Sequence, residues 1–261
     1  MISPSAAVRR GLCAAALLTL SPFSALSAAA QAGLAPGLVY LRDVDPTIAQ
    51  DIRYATSNNF TGRPLPGYDA GECILTRAAA LALKQVQADL AAAKVGLKVY
   101  DCYRPVRATR AMVQWAYEPR SENRRFYPAL AKASLLNGYV SGASKHATGY
   151  AVDLTLVELG ATAPAAFDPR ANYGSCIGPA AQRAPDSSLD MGTGYDCFDA
   201  MSHTGASGLS PEQHRARQTL RSAMARHGFV NYPREWWHFS LATKEGGGRS
   251  FDVPIRARPQ R

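Results

Sequence analysis

Two short stretches far apart in the chain constrain its fold more than any other feature. They are Ser144-Lys-His-Ala-Thr-Gly-Tyr-Ala-Val-Asp153 and Glu235-Trp-Trp-His238. Together they offer two imidazoles, one carboxylate and a second carboxylate three residues before the last histidine. Three protein ligands, an open position and a neighbouring base are what a catalytic zinc site requires. If the stretches form one site, the fold must bring both to the same place. His146 and Asp153 alone carry little weight, because a lone His and a lone Asp seven apart are more often structural or surface residues. Ala147, Gly149 and Ala151 between them let the backbone turn tightly into a strand. The Glu235/His238 pair raises a geometric condition. Positions three apart in a straight strand face opposite ways, so the pair needs a bend, or Glu235 sits in the loop before the strand.

The chain has 261 residues, 47% of them hydrophobic and with formal net charge +9. That length suits one domain with a sizeable core. No Lys/Arg block or aromatic-basic interleaving points to nucleic acid. Arg9-Arg10, the apolar run from Gly11 to Leu20 and the small residues from Ser24 to Ala32 read as a secretory signal peptide over residues 1–30. Its apolar run is too short for a membrane span. The expectation is therefore an exported, periplasmic protein with no stable membrane anchor after cleavage and a single domain over residues 33–261. Cys73, Cys102, Cys176 and Cys197 remain after cleavage, an even number in an oxidising compartment. Four cysteines permit three pairings. Cys73–Cys102 and Cys176–Cys197 are favoured, since each pair lies within one half of the chain. No C-x-x-C spacing supports a thiolate metal site.

The pattern predicts short extended pieces at 38–41 and 52–54, and a helix capped by Thr76 that runs to about Lys94. It predicts a buried strand at 97–100, a helix over 106–117 and a short helix near 128–136. A strand follows at 151–157, then a long Ala/Pro/Gly-rich excursion from Glu158 to Leu189. Ser210-Pro-Glu-Gln213 is a capping box that opens a helix ending at Gly228. Strands at 229–232 and 236–241 close the sheet. Without regular β-α alternation, the fold class is α+β: a central antiparallel or mixed sheet, flanking helices and a zinc site in a cleft.

Arg104 ends the buried strand, where it can stabilise an oxyanion or simply pair with Asp101. Ser144 can bind a substrate or cap a turn. Asp196 can receive a cationic group or cap a glycine turn. Trp236 and Trp237 read as core.

Across nearly all of the mature chain these residues resemble the zinc D-alanyl-D-alanine dipeptidases, the type associated with vancomycin resistance and bacterial D-dipeptide turnover. The matching pieces are Tyr54-Ala-Thr-x-x-Asn-Phe-Thr-Gly62, Gly67-Tyr68, Asp101-x-Tyr-Arg-Pro105, Gln114-Trp115, Ser144-x-His-x-x-Gly-x-Ala-x-Asp-Leu-Thr-Leu156, Met191-Gly-x-x-Tyr-Asp196 and Glu235-Trp-Trp-His238. The resemblance implies one zinc per chain on His146, Asp153 and His238. It implies Glu235 as base and Arg104 as transition-state stabiliser. Ser144, Tyr54 and Asp196 would bind a small D-amino-acid dipeptide, with Trp115 supporting them. The chain departs from the short cytoplasmic members in its export signal, its four cysteines and the Glu158–Leu189 excursion. A D,D- or L,D-carboxypeptidase acting on peptidoglycan stem peptides is the alternative. A non-catalytic wall-binding module would be expected to have lost a ligand or the base, and neither is missing.

Overall fold

The computed structural model describes Met1 and residues 33–119, 122–242 and 248–259. The expected signal peptide lies, Met1 apart, outside the described residues.

The fold is α+β, built on a five-stranded mixed sheet. Its order is β2 (Ala49–Gln50), β4 (Val95–Asp101), β5 (Ala151–Glu158), β7 (His238–Leu241) and β6 (Phe229–Asn231). β2 runs parallel to β4, and the other neighbours are antiparallel. A second small sheet pairs β1 (Leu38–Tyr40) with β3 (Ile74–Thr76). Among the described residues four helices accompany the sheets: α1 (Leu41–Val44), α2 (Arg77–Ala91), α3 (Val106–Tyr117) and α4 (Pro211–Arg226).

Alternation along the central strands separates two faces. Leu97 and Val99 of β4 lie opposite Leu156 and Leu154 of β5, giving an apolar face. α2 lies against β4, and α4 against β5 and β6. The other face carries Lys98, Tyr100, Asp153 and Thr155, all buried. Polar groups at that depth need partners: the excursion supplies them to Lys98 and Tyr100, the functional site to Asp153, and among the described residues the Thr155 hydroxyl is left without one. A β-bulge between Val99 and Asp101 shifts the register so that Asp101 pairs with Asp153, and Asp153 in turn pairs with His238. Asp101, Asp153 and His238 therefore form one row across three strands.

The capping signals hold. The Thr76 hydroxyl accepts from the Ala79 amide, and Ser210 and Gln213 form the complete capping box of α4. Other elements differ from expectation. α2 stops at Ala91, and Lys94 beyond it takes a left-handed φ of 56°. Residues 53–55 form a 3₁₀ turn, closed by the Thr56 hydroxyl on the Arg53 carbonyl at 3.0 Å, where an extended piece was expected. The helix expected near 128–136 is a 3₁₀ turn over Lys132–Leu136. The last strand begins at His238 rather than Trp236, because the chain is still turning at Trp236 and Trp237.

Both favoured disulfides are present, with Cα–Cα distances of 5.3 Å for Cys73–Cys102 and 5.5 Å for Cys176–Cys197. Among the described residues no helix is long and apolar enough to cross a membrane.

Candidate metal centre

His146 sits in a 3₁₀ turn, Lys145–Thr148. The Ser144 hydroxyl accepts from the His146 amide at 3.2 Å, so the capping reading of Ser144 is realised. Gly149 ends the turn at φ 75°, and a Cβ there would stand 2.7 Å from Leu38 Cδ2. The left-handed conformation favours glycine there, and the Leu38 side chain would have to move to admit any other residue. The turn delivers His146 beside the Asp101–Asp153–His238 row.

Three donor atoms then converge. His238 Nδ1 lies 3.0 Å from Asp153 Oδ1, His146 Nε2 lies 3.1 Å from His238 Nδ1, and His146 Nε2 lies 3.3 Å from Asp153 Oδ1. Donors arranged tetrahedrally at zinc bond lengths of roughly 2.0–2.1 Å stand about 3.3 Å apart. The triangle is close to that size.

The surrounding groups choose which atoms face the triangle. His146 Nδ1 donates to the Cys102 carbonyl at 2.7 Å, which leaves Nε2 as the lone-pair nitrogen. The carbonyl belongs to a disulfide-bonded residue, so the Cys73–Cys102 bridge braces the strand end that orients the imidazole. Asp153 Oδ2 accepts from the Tyr195 hydroxyl at 3.0 Å, leaving Oδ1 for the triangle. Burial lowers the His238 pKa and keeps the ring neutral, as a metal ligand must be. Burial opposes ionisation of Asp153, but the two imidazoles outweigh it and hold the carboxyl well below its ordinary range.

Glu235 occupies the turn just before β7. Its amide bonds to the Tyr232 carbonyl at 3.0 Å, and its own carbonyl accepts from the His238 amide at 3.2 Å. This tight turn meets the geometric condition on the Glu235/His238 pair. Glu235 Oε2 lies 3.9 Å from His238 Nδ1. Burial, then the charges of Asp153 and Asp196, push its pKa well above the ordinary value.

Arg104 points into the same space. Asp101 grips it through Nε at 2.9 Å and Nη2 at 2.8 Å, and Tyr68 donates its hydroxyl to the other Asp101 oxygen at 2.5 Å. The salt bridge expected as the plain reading is thus real, and it serves to aim the guanidinium. Arg104 also lies over the Tyr54 ring at 5.0 Å and stands 3.7 Å from Asp153 Oδ2. Tyr54 donates its hydroxyl to Asp196 at 2.8 Å. Asp196 has a left-handed φ of 55°, a conformation that costs a non-glycine residue on the order of 1 kcal/mol and is retained where the site demands it. Burial and the Asp153 charge raise its pKa well above the ordinary value.

These groups line one cleft of about 350 Å³ that holds His146, Asp153, His238, Glu235, Arg104, Tyr54, Asp196 and Ser144 together. Trp115 stands behind them: it is fully buried and meets Phe60, which lines the cleft, edge-on at 5.0 Å. Trp236 and Trp237 are buried, as expected. Sequence reasoning missed Tyr195 and Tyr68, whose hydroxyls fix the outer oxygens of Asp153 and Asp101. Both stand in quoted motifs, but nothing local marks either hydroxyl as facing a carboxylate.

Three buried carboxylates, Asp153, Asp196 and Glu235, line this cleft with the single guanidinium of Arg104, which a fourth, Asp101, already holds. Such an excess of buried negative charge favours a cation, and the three converging donors are where a metal ion fits.

A two-histidine, one-carboxylate set, buried except for a partly exposed His238, beside a glutamate and an arginine carries the residues of a hydrolytic metal centre. Residues 35–184 and 161–255 match the peptidase M15 family, described as D-ala-D-ala dipeptidase, and the chain belongs to that family. It is 33% identical over 208 residues to a D-alanyl-D-alanine dipeptidase of Enterococcus faecalis, covering 78% of this chain and 91% of that protein. A D-alanyl-D-alanine dipeptidase of Streptomyces coelicolor is 34% identical over 211 residues, covering 80% and 93%. The Escherichia coli protein of the same name is 28% identical, covering 78% and 84%. A solved structure of the vancomycin resistance D,D-pentapeptidase VanY with Zn(II) aligns at 17% identity and TM-score 0.36, over 69% of this chain and 79% of that one.

Proposed function

We propose that this chain is a zinc-dependent D,D-dipeptidase that hydrolyses D-Ala-D-Ala to free D-alanine, after export, in cell-wall peptide turnover. The observation that carries the reading is the convergence of His146 Nε2, Asp153 Oδ1 and His238 Nδ1 beside Glu235 and Arg104 in one cleft. His146, Asp153 and His238 would hold one zinc ion per chain. When bound, zinc supplies Lewis acidity toward a carbonyl oxygen and acidifies water.

The chain's own residues account for the rest. Glu235, whose burial makes it hold a proton far more readily than an ordinary glutamate, takes a proton from the attacking water and passes it to the leaving amine. Arg104, held in place by Asp101, donates to the oxygen on which negative charge develops. Asp196, aimed by the Tyr54 hydroxyl, faces the substrate ammonium. The Ser144 hydroxyl lines the cleft while capping the His146 turn, and takes a substrate contact there.

The two disulfides agree with an oxidising compartment. A signal peptide over residues 1–30 would deliver the mature domain, residues 33–261, to the periplasm. An exported enzyme cannot reach precursor dipeptide in the cytoplasm, so turnover or scavenging fits better than antibiotic resistance.

Release of D-alanine from D-Ala-D-Ala by the zinc-loaded protein, with Glu235→Ala as control, tests the reading. Release that disappears in the variant is the expected result. Release from D-Ala-terminated stem peptides without release from the dipeptide would replace it with the carboxypeptidase alternative.

A further inference from the structure

A second cavity of about 310 Å³ lies between the Glu158–Leu189 excursion and the Met191–Asp196 segment. Tyr195 lines this cavity and Asp196 the metal cleft, so adjacent residues separate the two spaces. Apolar wall comes from Leu189, Met191 and Trp236. The charged lining is unusual in its balance.

Arg53 is matched by Asp51 and Asp186, both at 2.7 Å. Asp186 also takes Lys98 and, at 2.8 Å, the Tyr100 hydroxyl. Arg183 is matched by Asp190 at 3.0 Å and donates to the Gly178 and Gly192 carbonyls. Arg125 differs. Among the described residues its guanidinium makes one hydrogen bond, from Nη2 to Asn58 Oδ1 at 3.1 Å, and Nε is buried without a partner. Among the described residues no carboxylate comes within ion-pair distance of it. Its guanidinium lies 4.7 Å from the Phe126 ring and 5.1 Å from the Phe167 ring. Burial and the neighbouring charge of Arg53 press its pKa below the ordinary value.

A part-buried cation facing a cavity, with every nearby acid already taken, is costly unless something anionic joins it. The planar guanidinium fork suits a carboxylate. We propose that this cavity is a second ligand site, separate from the metal cleft, for a small molecule with one carboxylate on an apolar body. The carboxylate meets Arg125, and the apolar body lies against Leu189, Met191 and Trp236. A free amine has no acceptor waiting, because Asp186 and Asp190 are satisfied, so the ligand is an N-blocked amino acid or a simple organic acid. The cavity lies near the lower end of the roughly 300–1,000 Å³ range of ligand pockets, which limits the body to a few carbons beyond the acid.

The test uses N-acetylglycine as probe and its neutral amide, N-acetylglycinamide, as control, titrated into the metal-loaded chain by calorimetry. The expected result is saturable binding of the acid, at least tenfold weaker for the amide. Binding should fall at least tenfold in Arg125→Gln and stay unchanged in Glu235→Gln, which alters only the cleft. The Trp236 indole NMR signal, assigned with Trp236→Phe, should shift on titration. The amide comparison and the Trp236 shift need no substitution at Arg125, so together they decide even if Arg125→Gln fails to fold. Absence of saturable binding, equal binding of acid and amide, or full binding by a folded Arg125→Gln would each overturn the proposal. In the last case Arg125 is a packing residue held by its aromatic neighbours.

Discussion

The two regions that meet at Tyr195 are held together by different forces. The metal side is a row of polar residues at the end of strands whose opposite face is apolar. Leu97, Val99, Leu154 and Leu156 are fully buried, and the β4–β5–β7 register then fixes where Asp101, Asp153 and His238 point. The excursion side has one short 3₁₀ turn, Ala180–Gln182, and one isolated bridge, Val157 to Ser188. It is kept in place by the Cys176–Cys197 disulfide and by Asp186, which gathers Arg53, Lys98 and Tyr100. Apolar burial positions the chemistry, and ion pairs with a covalent bridge position the loop. Changes in the first region should therefore remove activity with little loss of stability, and changes in the second should do the reverse.

The largest expected effect is on the metal side. Glu235→Gln should lower the rate by roughly 100- to 10,000-fold, as loss of a general base does, while zinc content and melting temperature stay near wild type. Steady-state kinetics with metal analysis checks this, and a large drop in melting temperature would blur the contrast. On the other side, replacing Cys176 and Cys197 by Ser should destabilise the fold by about 3 kcal/mol, the cost of releasing a loop of this size. Urea unfolding reads that loss, and the zinc-loaded variant should keep most of its activity.

Asp186→Asn sharpens the contrast through pH. Burial resists ionisation of Asp186, yet Arg53 and Lys98 hold its carboxyl well below the ordinary range. A depressed folded pKa contributes stability that is fully present above the unfolded carboxylate value of about 4 and fades as pH falls below it. The variant should be about 2 kcal/mol less stable than wild type near pH 7, and the gap should narrow below pH ~4. Urea midpoints across that range would show it.

Tyr195→Phe probes the boundary. Its ring stacks on Tyr100 at 4.4 Å, Tyr100 bonds to Asp186, and its hydroxyl reaches Asp153. Removing the hydroxyl should weaken zinc about tenfold, the lower end for an outer-sphere partner, because Arg104 still stands near the same oxygen. Competition with a chromophoric chelator measures it. A loss of stability with unchanged zinc affinity would show that the residue only packs.

What the sequence made legible follows the same division. His146, Asp153, Glu235 and His238 stood out because metal chemistry needs those residue types and their spacing survives as local text. The caps at Thr76 and Ser210 are local too, and both were found. The pairing of Asp153 with His238 across β5 and β7 is a non-local register, and the sequence offered only the condition that Glu235 lie in a turn. Arg53 was read as part of an extended piece, whereas a side-chain bond from Thr56 closes a turn there and an acid 133 positions away holds the guanidinium. The Tyr195 and Tyr68 hydroxyls were invisible for the same reason, since their partners are set by the tertiary fold.

We propose that His146, Asp153 and His238 form a single zinc site in the cleft. Anomalous diffraction at the zinc edge from crystals of the mature protein tests it most directly. The expected result is one strong peak bonded to His146 Nε2, Asp153 Oδ1 and His238 Nδ1, and its disappearance in crystals of His238→Ala. A peak at other residues, or zinc-grown crystals with no peak between these three atoms, would contradict it.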